Sequence, residues 1–283
     1  MGYLKFENEN LFIEKKNKII LTEYNMFFKF MKYLYGIEQG NLQVEYNGLI
    51  LNNKNTLIID LSSITSLTLI FSNENRIIDE YTKYNLEKLN ISLEDETIMN
   101  ETIKKYAKEL FNNLCCEEFE INWTKLLKSY SQIIIKNSSD LIKVISSILE
   151  NDNLKELIIL YKRSILKEFK LYEIEEFVND KVHLFEICDK ESYLEINDNI
   201  LIFDKEITQI RVDDFLDLIL EKSKIYQNEN KDTYSYLISK ILFYTINRKE
   251  VDLMMKYKDE ISELVKILDE EFKINLSNVH GYI

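Results

Sequence analysis

The chain has 283 residues, of which 46% are hydrophobic and 30% are charged, and this composition indicates a folded globular protein rather than a disordered one. The formal net charge of −13 argues against a generally basic nucleic-acid-binding surface, because contacts with phosphates need local positive charge. It is compatible with a local basic surface, or with a divalent cation between acidic protein and partner.

The first residues predict three short strands followed by a helix. Thr22 is placed to cap a helix over residues 23–35, because its hydroxyl can accept from a backbone N–H of the first turn. Gly36 follows as the residue expected to end the helix. The three strands are predicted at residues 3–6, 11–13 and 18–21.

A hairpin and a long helical segment come next. Asn47 and Gly48 lie between two apolar runs, and this dipeptide is a strong hairpin signal because both turn positions need positive φ. Residues 56–61 predict a further buried strand. Residues 72–116 are mostly helical with a break near 90–95, which predicts an all-helical subdomain that projects from the sheet.

Residues 132–205 are the stretch around which the chain is organised. Short apolar runs rich in β-branched or aromatic residues alternate there with amphipathic segments of helix length. This pattern predicts strands buried on both faces in the order βαβαββ. The runs lie at 133–135, 157–160, 182–187 and 200–203, and the amphipathic segments at 138–150 and 167–179.

The C-terminal part predicts three helices, at residues 212–226, 232–247 and 251–272. The chain as a whole predicts an α/β fold with three parts. These are a mostly parallel-sheet head over residues 1–71 and 117–210, an inserted helical leg over 72–116, and a C-terminal helical extension over 211–283.

The N-terminal residues, the lack of a long apolar run and the cysteines suggest a cytoplasmic protein. The N-terminal residues contain no apolar core of signal-peptide length, and no run approaches the roughly 20 apolar residues of a membrane span. Cys115 and Cys116 are adjacent, which is poor geometry for a disulfide, and Cys188 makes the count odd. We expect all three to be buried thiols in a reducing compartment.

The distribution of glycine argues against several enzyme classes. The chain has five glycines, and none lies between Gly48 and Gly281. A Walker loop, a Rossmann loop and a Gly-x-Ser-x-Gly elbow all need glycines in a turn after a strand. Nucleotide binding and hydrolysis are therefore not expected from the predicted sheet.

The two histidines argue against histidine-based catalysis. His183 lies inside a predicted strand, where a hydrogen-bonded core or pocket imidazole is the favoured interpretation, and His280 lies near the C-terminus. A zinc site with Cys115 and Cys116 would need adjacent ligands, against the usual two-to-four-residue spacing.

Carboxylates are plentiful in two places. Glu117, Glu118 and Glu120 follow the predicted leg, and a second group near Asp189 and Asp198 lies by the last strands. Hard cations such as Ca²⁺ bind several oxygen ligands at loop positions. The spacing matches no EF-hand and no two-metal nuclease motif, so a solvated acidic surface is the alternative for any one residue.

Basic residues form three local groups despite the net charge. One pair shares a face of the first helix, and a second pair is spaced i,i+3 in a helix predicted at 123–130. A third pair follows the strand at 157–160, at the carboxyl end where open α/β sheets bind ligands. Contacts with the phosphate backbone are predicted for Lys29, Lys32, Lys125, Lys128, Lys162 and Arg163, with ordinary solvated side chains as the alternative.

Several strings, in this order of elements, resemble a known family. The chain looks like the ring-forming, double-stranded-DNA-binding adaptation protein of type II-A CRISPR systems, over roughly residues 1–210. The strings that carry the resemblance are LTEYNMFFKFMKY at 21–33, FNNLCCEEFEI at 111–121, LLKSY at 126–130, LIIL at 157–160, HLFEI at 183–187 and LIFD at 201–204.

The resemblance implies a non-catalytic protein that acts in spacer acquisition beside the CRISPR integrase and the RNA-guided nuclease. It implies a head related to P-loop ATPases but without nucleotide binding, and a homotetrameric ring with a lysine-lined hole for linear duplex ends. It further implies Ca²⁺ bound to acidic residues, for which Glu117, Glu118 and Glu120 are the matching segment. Residues 211–283 extend beyond the short form of the family.

Two other functions stay open from the residues alone. The sheet and the many acids are compatible with an enzyme, either a carboxylate-metal nuclease or a diverged nucleotide hydrolase. The helical C-terminal region is compatible with a protein-interaction scaffold.

Overall fold

The structure is a computed structural model. It describes residues 2–7, 9–21, 23–66, 76–88, 93–110, 137–177, 180–189, 191–195 and 197–222, with a few residues between 262 and 271. Strands and helices alternate along most of these described residues. The described strands are β1 (Gly2–Phe6), β2 (Glu9–Ile13), β3 (Lys16–Leu21), β4 (Val44–Tyr46), β5 (Leu49–Leu51), β6 (Thr56–Asp60), β7 (Glu156–Tyr161), β8 (Val182–Ile187), β9 (Asn199–Phe203) and β10 (Ile207–Arg211). The described helices are α1 (Tyr24–Glu38), α2 (Arg76–Lys88), α3 (Leu93–Leu110), α4 (Ser138–Leu149), α5 (Arg163–Phe169) and α6 (Val212–Lys222), with a 3₁₀ helix at Tyr172–Glu176.

The residues divide into two units, one of Met1–Ile64 with Asn153–Ile283 and one of Thr65–Asp152. The first unit contains both sheets. The second contains α2, α3 and α4, so it includes the predicted leg together with the helix predicted at 138–150.

The larger sheet of the first unit has six strands in the order β10-β9-β3-β8-β7-β6. All neighbours are parallel except β9 and β10, which are antiparallel. Every residue of β7, β8 and β9 is buried, as expected for parallel strands covered on both faces. The strands predicted at 157–160, 182–187 and 200–203 are therefore confirmed, and the run at 133–135 lies outside the described residues.

The smaller sheet is antiparallel, in the order β2-β1-β4-β5, and shares a hydrophobic core with α1 and one face of the larger sheet. Phe30 of α1 is fully buried at the centre of this core. Its ring lies 5.5 Å from that of Phe6 and 5.3 Å from that of Phe203, so aromatic contacts join both sheets to the helix.

The predicted hairpin is confirmed, and the predicted end of α1 is wrong. Asn47 and Gly48 join β4 and β5 with φ of 52° and 76°. Helix α1 continues to Glu38, through a buried Gly36. A Cβ at Gly36 would lie 2.8 Å from the Leu42 side chain, so this glycine permits a close approach within the fold instead of ending the helix.

The helix predicted at 167–179 begins earlier and is interrupted. Helix α5 starts at Arg163, directly after β7, and ends at Phe169. Lys170 then adopts a left-handed conformation with φ of 55°, which stops the helix, and the 3₁₀ helix follows.

The end of the first unit includes part of the predicted C-terminal extension. Helix α6 contacts β10, and Val212 and Leu216 are fully buried. Most of the other two predicted C-terminal helices lie outside the described residues. Among the described helices, none is both long and apolar enough to cross a membrane.

In the second unit, α2 packs against α4. The side chain of Asn137 accepts a hydrogen bond of 3.0 Å from the Asp140 N–H and so caps α4. Ile78, Leu141 and Ile145 are fully buried, which gives the unit apolar contacts of its own.

Candidate functional site

The structure places two of the predicted phosphate-contacting lysines on the surface of α1. Lys29 and Lys32 are both exposed, on the side of the helix away from the core. The Lys29 ammonium lies 3.5 Å from Glu7, with 60% of the lysine side chain exposed, so this pair is weak. Both side chains are accessible to a ligand from solvent. Lys125 and Lys128 lie outside the described residues.

The acidic segment with Glu117, Glu118 and Glu120 also lies outside the described residues. Within the described ranges there is no group of three His, Cys, Asp or Glu side chains arranged to hold a metal ion. Binding of Ca²⁺ therefore stays a prediction.

Arg163 has internal partners at the carboxyl end of β7, whereas Lys162 beside it is partly exposed. The Arg163 Nη2 lies 2.8 Å from the Glu175 carboxylate, and its Nε lies 3.5 Å from Glu186. The guanidinium also stacks 4.2 Å from the Tyr193 ring centroid. Burial lowers the pKa of Arg163 but the two carboxylates raise it by more, which fits a structural role for this residue.

A buried ion network joins two strands of the larger sheet and the segments beside them. The register sets Lys18 of β3 opposite Glu186 of β8, and the Lys18 Nζ lies 3.0 Å from the Glu186 carboxylate and 3.5 Å from that of Asp198. The Lys18 ammonium also donates to the Tyr193 carbonyl. We call Lys18, Arg163, Glu175, Glu186 and Asp198 the Lys18 network.

The pKa shifts of Lys18 and Asp198 show how far pairing offsets burial in this network. Burial lowers the pKa of Lys18, but Glu186 and Asp198 outweigh it and the net direction is upward. Burial raises the pKa of Asp198, and the Lys18 ammonium opposes this shift only in part. The Lys18 network therefore works as a charged core contact between strands.

The loop after β8 fills the crevice at the carboxyl ends of the parallel strands. Asp189 accepts a hydrogen bond of 3.0 Å from the Ser164 N–H and a second one from the Ser164 hydroxyl. Its other oxygen accepts a bond of 2.9 Å from the Glu191 N–H. The carboxylate thus occupies the first turn of α5, at the position where α/β folds commonly hold a ligand.

The opposite edge of the sheet holds a polar cluster around His183. The imidazole Nδ1 lies 2.9 Å from the Glu14 carbonyl, which can only accept, so this nitrogen carries a proton. The Nε2 lies 2.8 Å from the Glu156 carboxylate and 3.3 Å from the Tyr46 hydroxyl. His183 is buried and has polar neighbours at both ring nitrogens, as expected for a pocket imidazole.

The sequence did not identify Lys18 or Glu156 as part of any site. Their partners are distant in sequence, and Glu186 lies 168 positions after Lys18. A signal was nevertheless present, because a lone charge interrupts each of two neighbouring predicted strands. Opposite charges in adjacent parallel strands predict a buried pair once the strand order is known.

No protein-family model matches the sequence, and no curated protein matches it significantly. The function is therefore proposed from the residues, the fold and the resemblance of the sequence strings.

Proposed function

We propose that the chain binds the ends of linear double-stranded DNA without catalysing a reaction and supports CRISPR spacer acquisition. In this proposal four copies form a ring around the duplex, Ca²⁺ is required, and the CRISPR integrase and RNA-guided nuclease are partners. The head is related to P-loop ATPases but has lost the nucleotide loop.

The observation that carries the proposal is a largely parallel sheet whose ligand-binding edge is occupied by the protein itself. Strand β3 ends at Leu21 and α1 begins at Tyr24, which leaves two residues and no glycine to wrap a phosphate. The Glu23 N–H donates to the Phe203 carbonyl at 3.0 Å. Asp189, Glu186 and Arg163 fill the neighbouring ends of β7 and β8, which favours a scaffold over a nucleotide enzyme.

The DNA-contacting residues in this proposal are mainly lysines outside the network. Lys29 and Lys32 are exposed on one helix, and their flexible ammonium groups suit contacts with phosphates. Lys125, Lys128 and Lys162 complete the proposed set. We assign Arg163 a supporting role, since its guanidinium is bound to Glu175 and Glu186.

A comparison of DNA topologies tests the proposal. The same plasmid is supplied as a closed circle and as a linearised duplex, each in Ca²⁺ and in chelator. We expect binding to the linear form in Ca²⁺ and little binding to the circle. Equal binding to the two forms, or no binding to linear DNA in Ca²⁺, would refute a ring that threads onto ends.

Turnover assays test the non-catalytic part. Labelled DNA and ATP are incubated with the protein and Mg²⁺ or Mn²⁺, and neither should be consumed. If an activity that cleaves DNA or hydrolyses ATP copurifies with the chain, the nuclease or the hydrolase would be favoured instead.

A further inference from the structure

Helix α1 presents two aromatic rings to solvent next to the lysines assigned to DNA. Tyr24 and Phe28 lie about one helical turn apart, and each is 64% exposed. Lys29 and Lys32 are exposed on the same side of the helix, and positions 24, 28 and 32 follow one another at four-residue spacing. Single exposed aromatic residues are common on protein surfaces, whereas two neighbouring rings beside two cations form a patch of defined chemistry. We call these four residues the α1 aromatic patch.

The hydrophobic core holds the two rings of the patch in place. The ring centroids of Tyr24 and Phe28 lie 6.3 Å apart with 34° between their planes, so the rings form one continuous surface. The Phe28 ring contacts that of Phe27 at 6.4 Å, and Phe27 packs edge-on against Phe203 in the core at 5.7 Å. Because the rings stand on a packed helix, they lose little freedom when a ligand covers them.

The cations of the patch are accessible to a phosphate. The Lys29 ammonium lies 3.5 Å from Glu7, whose side chain is 49% exposed, and a phosphate can replace this weak pair. Lys32 follows Phe28 by one turn, at a position where a helix that docks on a protein groove would continue its apolar stripe. Two rings followed by a cation suit a ligand that combines flat faces with regularly spaced negative charges, as a nucleic acid strand does.

We propose that the α1 aromatic patch binds unpaired bases at the end of a DNA duplex. This inference rests on the proposed DNA function and names the part of the DNA that α1 contacts. Bases inside a duplex expose only their edges, so rings on a helix surface can stack only on bases that are unpaired. One base stacks on Tyr24 and its neighbour on Phe28, while the ammonium groups of Lys29 and Lys32 contact phosphates of the same strand.

Fluorescence anisotropy with two matched DNA ligands tests the stacking in the full chain. Both ligands are linear duplexes with a short single-stranded overhang, made of thymidines in one and of abasic sites in the other, so that the phosphates are the same. We expect the thymidine overhang to bind about tenfold more tightly in Ca²⁺, the usual effect of stacking one base. Equal binding of the two ligands would overturn the proposal.

Variants of the two rings identify the surface on which the bases stack. Tyr24→Ala with Phe28→Ala should abolish the preference for thymidine and leave the affinity for the abasic ligand unchanged, since both side chains lie mostly outside the core. The matched control is Tyr106→Ala with Tyr172→Ala, which removes two rings that are 57% and 52% exposed elsewhere and should keep the preference. A preference that survives in the first double variant would overturn the proposal.

Single substitutions at Phe28 separate stacking from apolar contact. Phe28→Trp keeps an aromatic face and should retain the preference for thymidine. Phe28→Leu is apolar but has no ring, and should reduce the preference to about threefold because one of the two rings remains. Equal preferences in the two variants would show that a ring is not needed, which would contradict stacking.

The same samples keep this inference distinct from the DNA proposal and from self-association. Binding of a blunt linear duplex in Ca²⁺ tests the DNA proposal alone and should be the same for the wild type and the Tyr24→Ala, Phe28→Ala variant. A wild type that binds the blunt duplex without preferring the thymidine overhang would keep the DNA proposal and refute stacking. If the same double variant has a smaller mass than the wild type in solution without DNA, the patch joins copies of the chain and the stacking proposal is overturned.

Discussion

Lys18 shows how one buried charge can serve as a core contact. Lys18→Met leaves Glu186 and Asp198 without their closest cation, and we expect a decrease of about 3 kcal/mol in the free energy of unfolding. Lys29→Met removes an exposed pair and should cost less than about 0.5 kcal/mol. Urea denaturation of both variants measures the difference. Equal decreases would show that the Lys18 network adds no more than a surface pair.

Tyr46 makes the stability of the fold depend on pH at the alkaline end. Burial, with the nearby Glu156 carboxylate, raises the pKa of Tyr46 to about 12. The folded chain then keeps this phenol neutral while the unfolded chain ionises it near pH 10. The stabilisation is therefore complete below about pH 10 and disappears as the pH rises toward 12.

Tyr46→Phe should consequently change how steeply Tm falls between about pH 10 and pH 12. The unfolded wild type gains free energy there by ionising Tyr46, which the phenylalanine variant cannot do, so the variant's Tm should fall less. Tyr172→Phe is the control, since this tyrosine is 52% exposed. Thermal unfolding across this pH range measures both variants. Parallel curves for Tyr46→Phe and wild type would contradict the role given to burial.

The sequence predicted the environment of His183 but not its partners. A histidine in an apolar strand is expected to be buried and hydrogen-bonded, and this holds. Glu156 and Tyr46 reach the imidazole only because β7 neighbours β8 and because the β4–β5 hairpin lies over this edge. Strand order is a long-range property, so local pattern does not specify it.

At the scale of elements, two glycines with positive φ allow a matched comparison. Gly40 and Gly48 have φ of 79° and 76°. A Cβ at Gly48 would meet nothing within 4 Å, whereas at Gly40 it would lie 2.8 Å from the Asn53 side chain. Gly48→Ala should thus cost about 1 kcal/mol from backbone strain alone, and Gly40→Ala should cost only slightly more, because the exposed Asn53 amide that it meets is the end of a flexible side chain.

Denaturation midpoints of the two alanine variants measure these costs. The comparison uses the same substitution in the same backbone region, so helix propensity does not differ between them. A larger cost for Gly48→Ala would contradict the close approach of Asn53 to Gly40.

Elements were predictable where one local signal dominates. Short, mainly apolar runs specified β7, β8 and β9, and Asn-Gly specified the β4–β5 hairpin. The ends of helices were less predictable. Gly36 was expected to end α1, but Leu42 packs against it, and Lys170 ends α5 in a left-handed conformation that a lysine does not signal.

At the scale of the whole molecule, the salt dependence of the affinity for DNA tests the proposed DNA surface. Lys29→Gln with Lys32→Gln should weaken binding to linear duplex of any sequence. It should also reduce the slope of log K against log salt by about 1 for each phosphate that is no longer neutralised. Lys5→Gln with Lys54→Gln changes the same charge at other exposed positions. Equal slopes in the two double variants would remove α1 from the DNA surface.

The assembly on DNA is the central claim, and native mass spectrometry of the chain with a short linear duplex in Ca²⁺ tests it most directly. The account predicts one dominant complex of four chains and one duplex, which dissociates when Ca²⁺ is chelated. A single chain on the duplex, or a free monomer with unbound DNA in Ca²⁺, would contradict it.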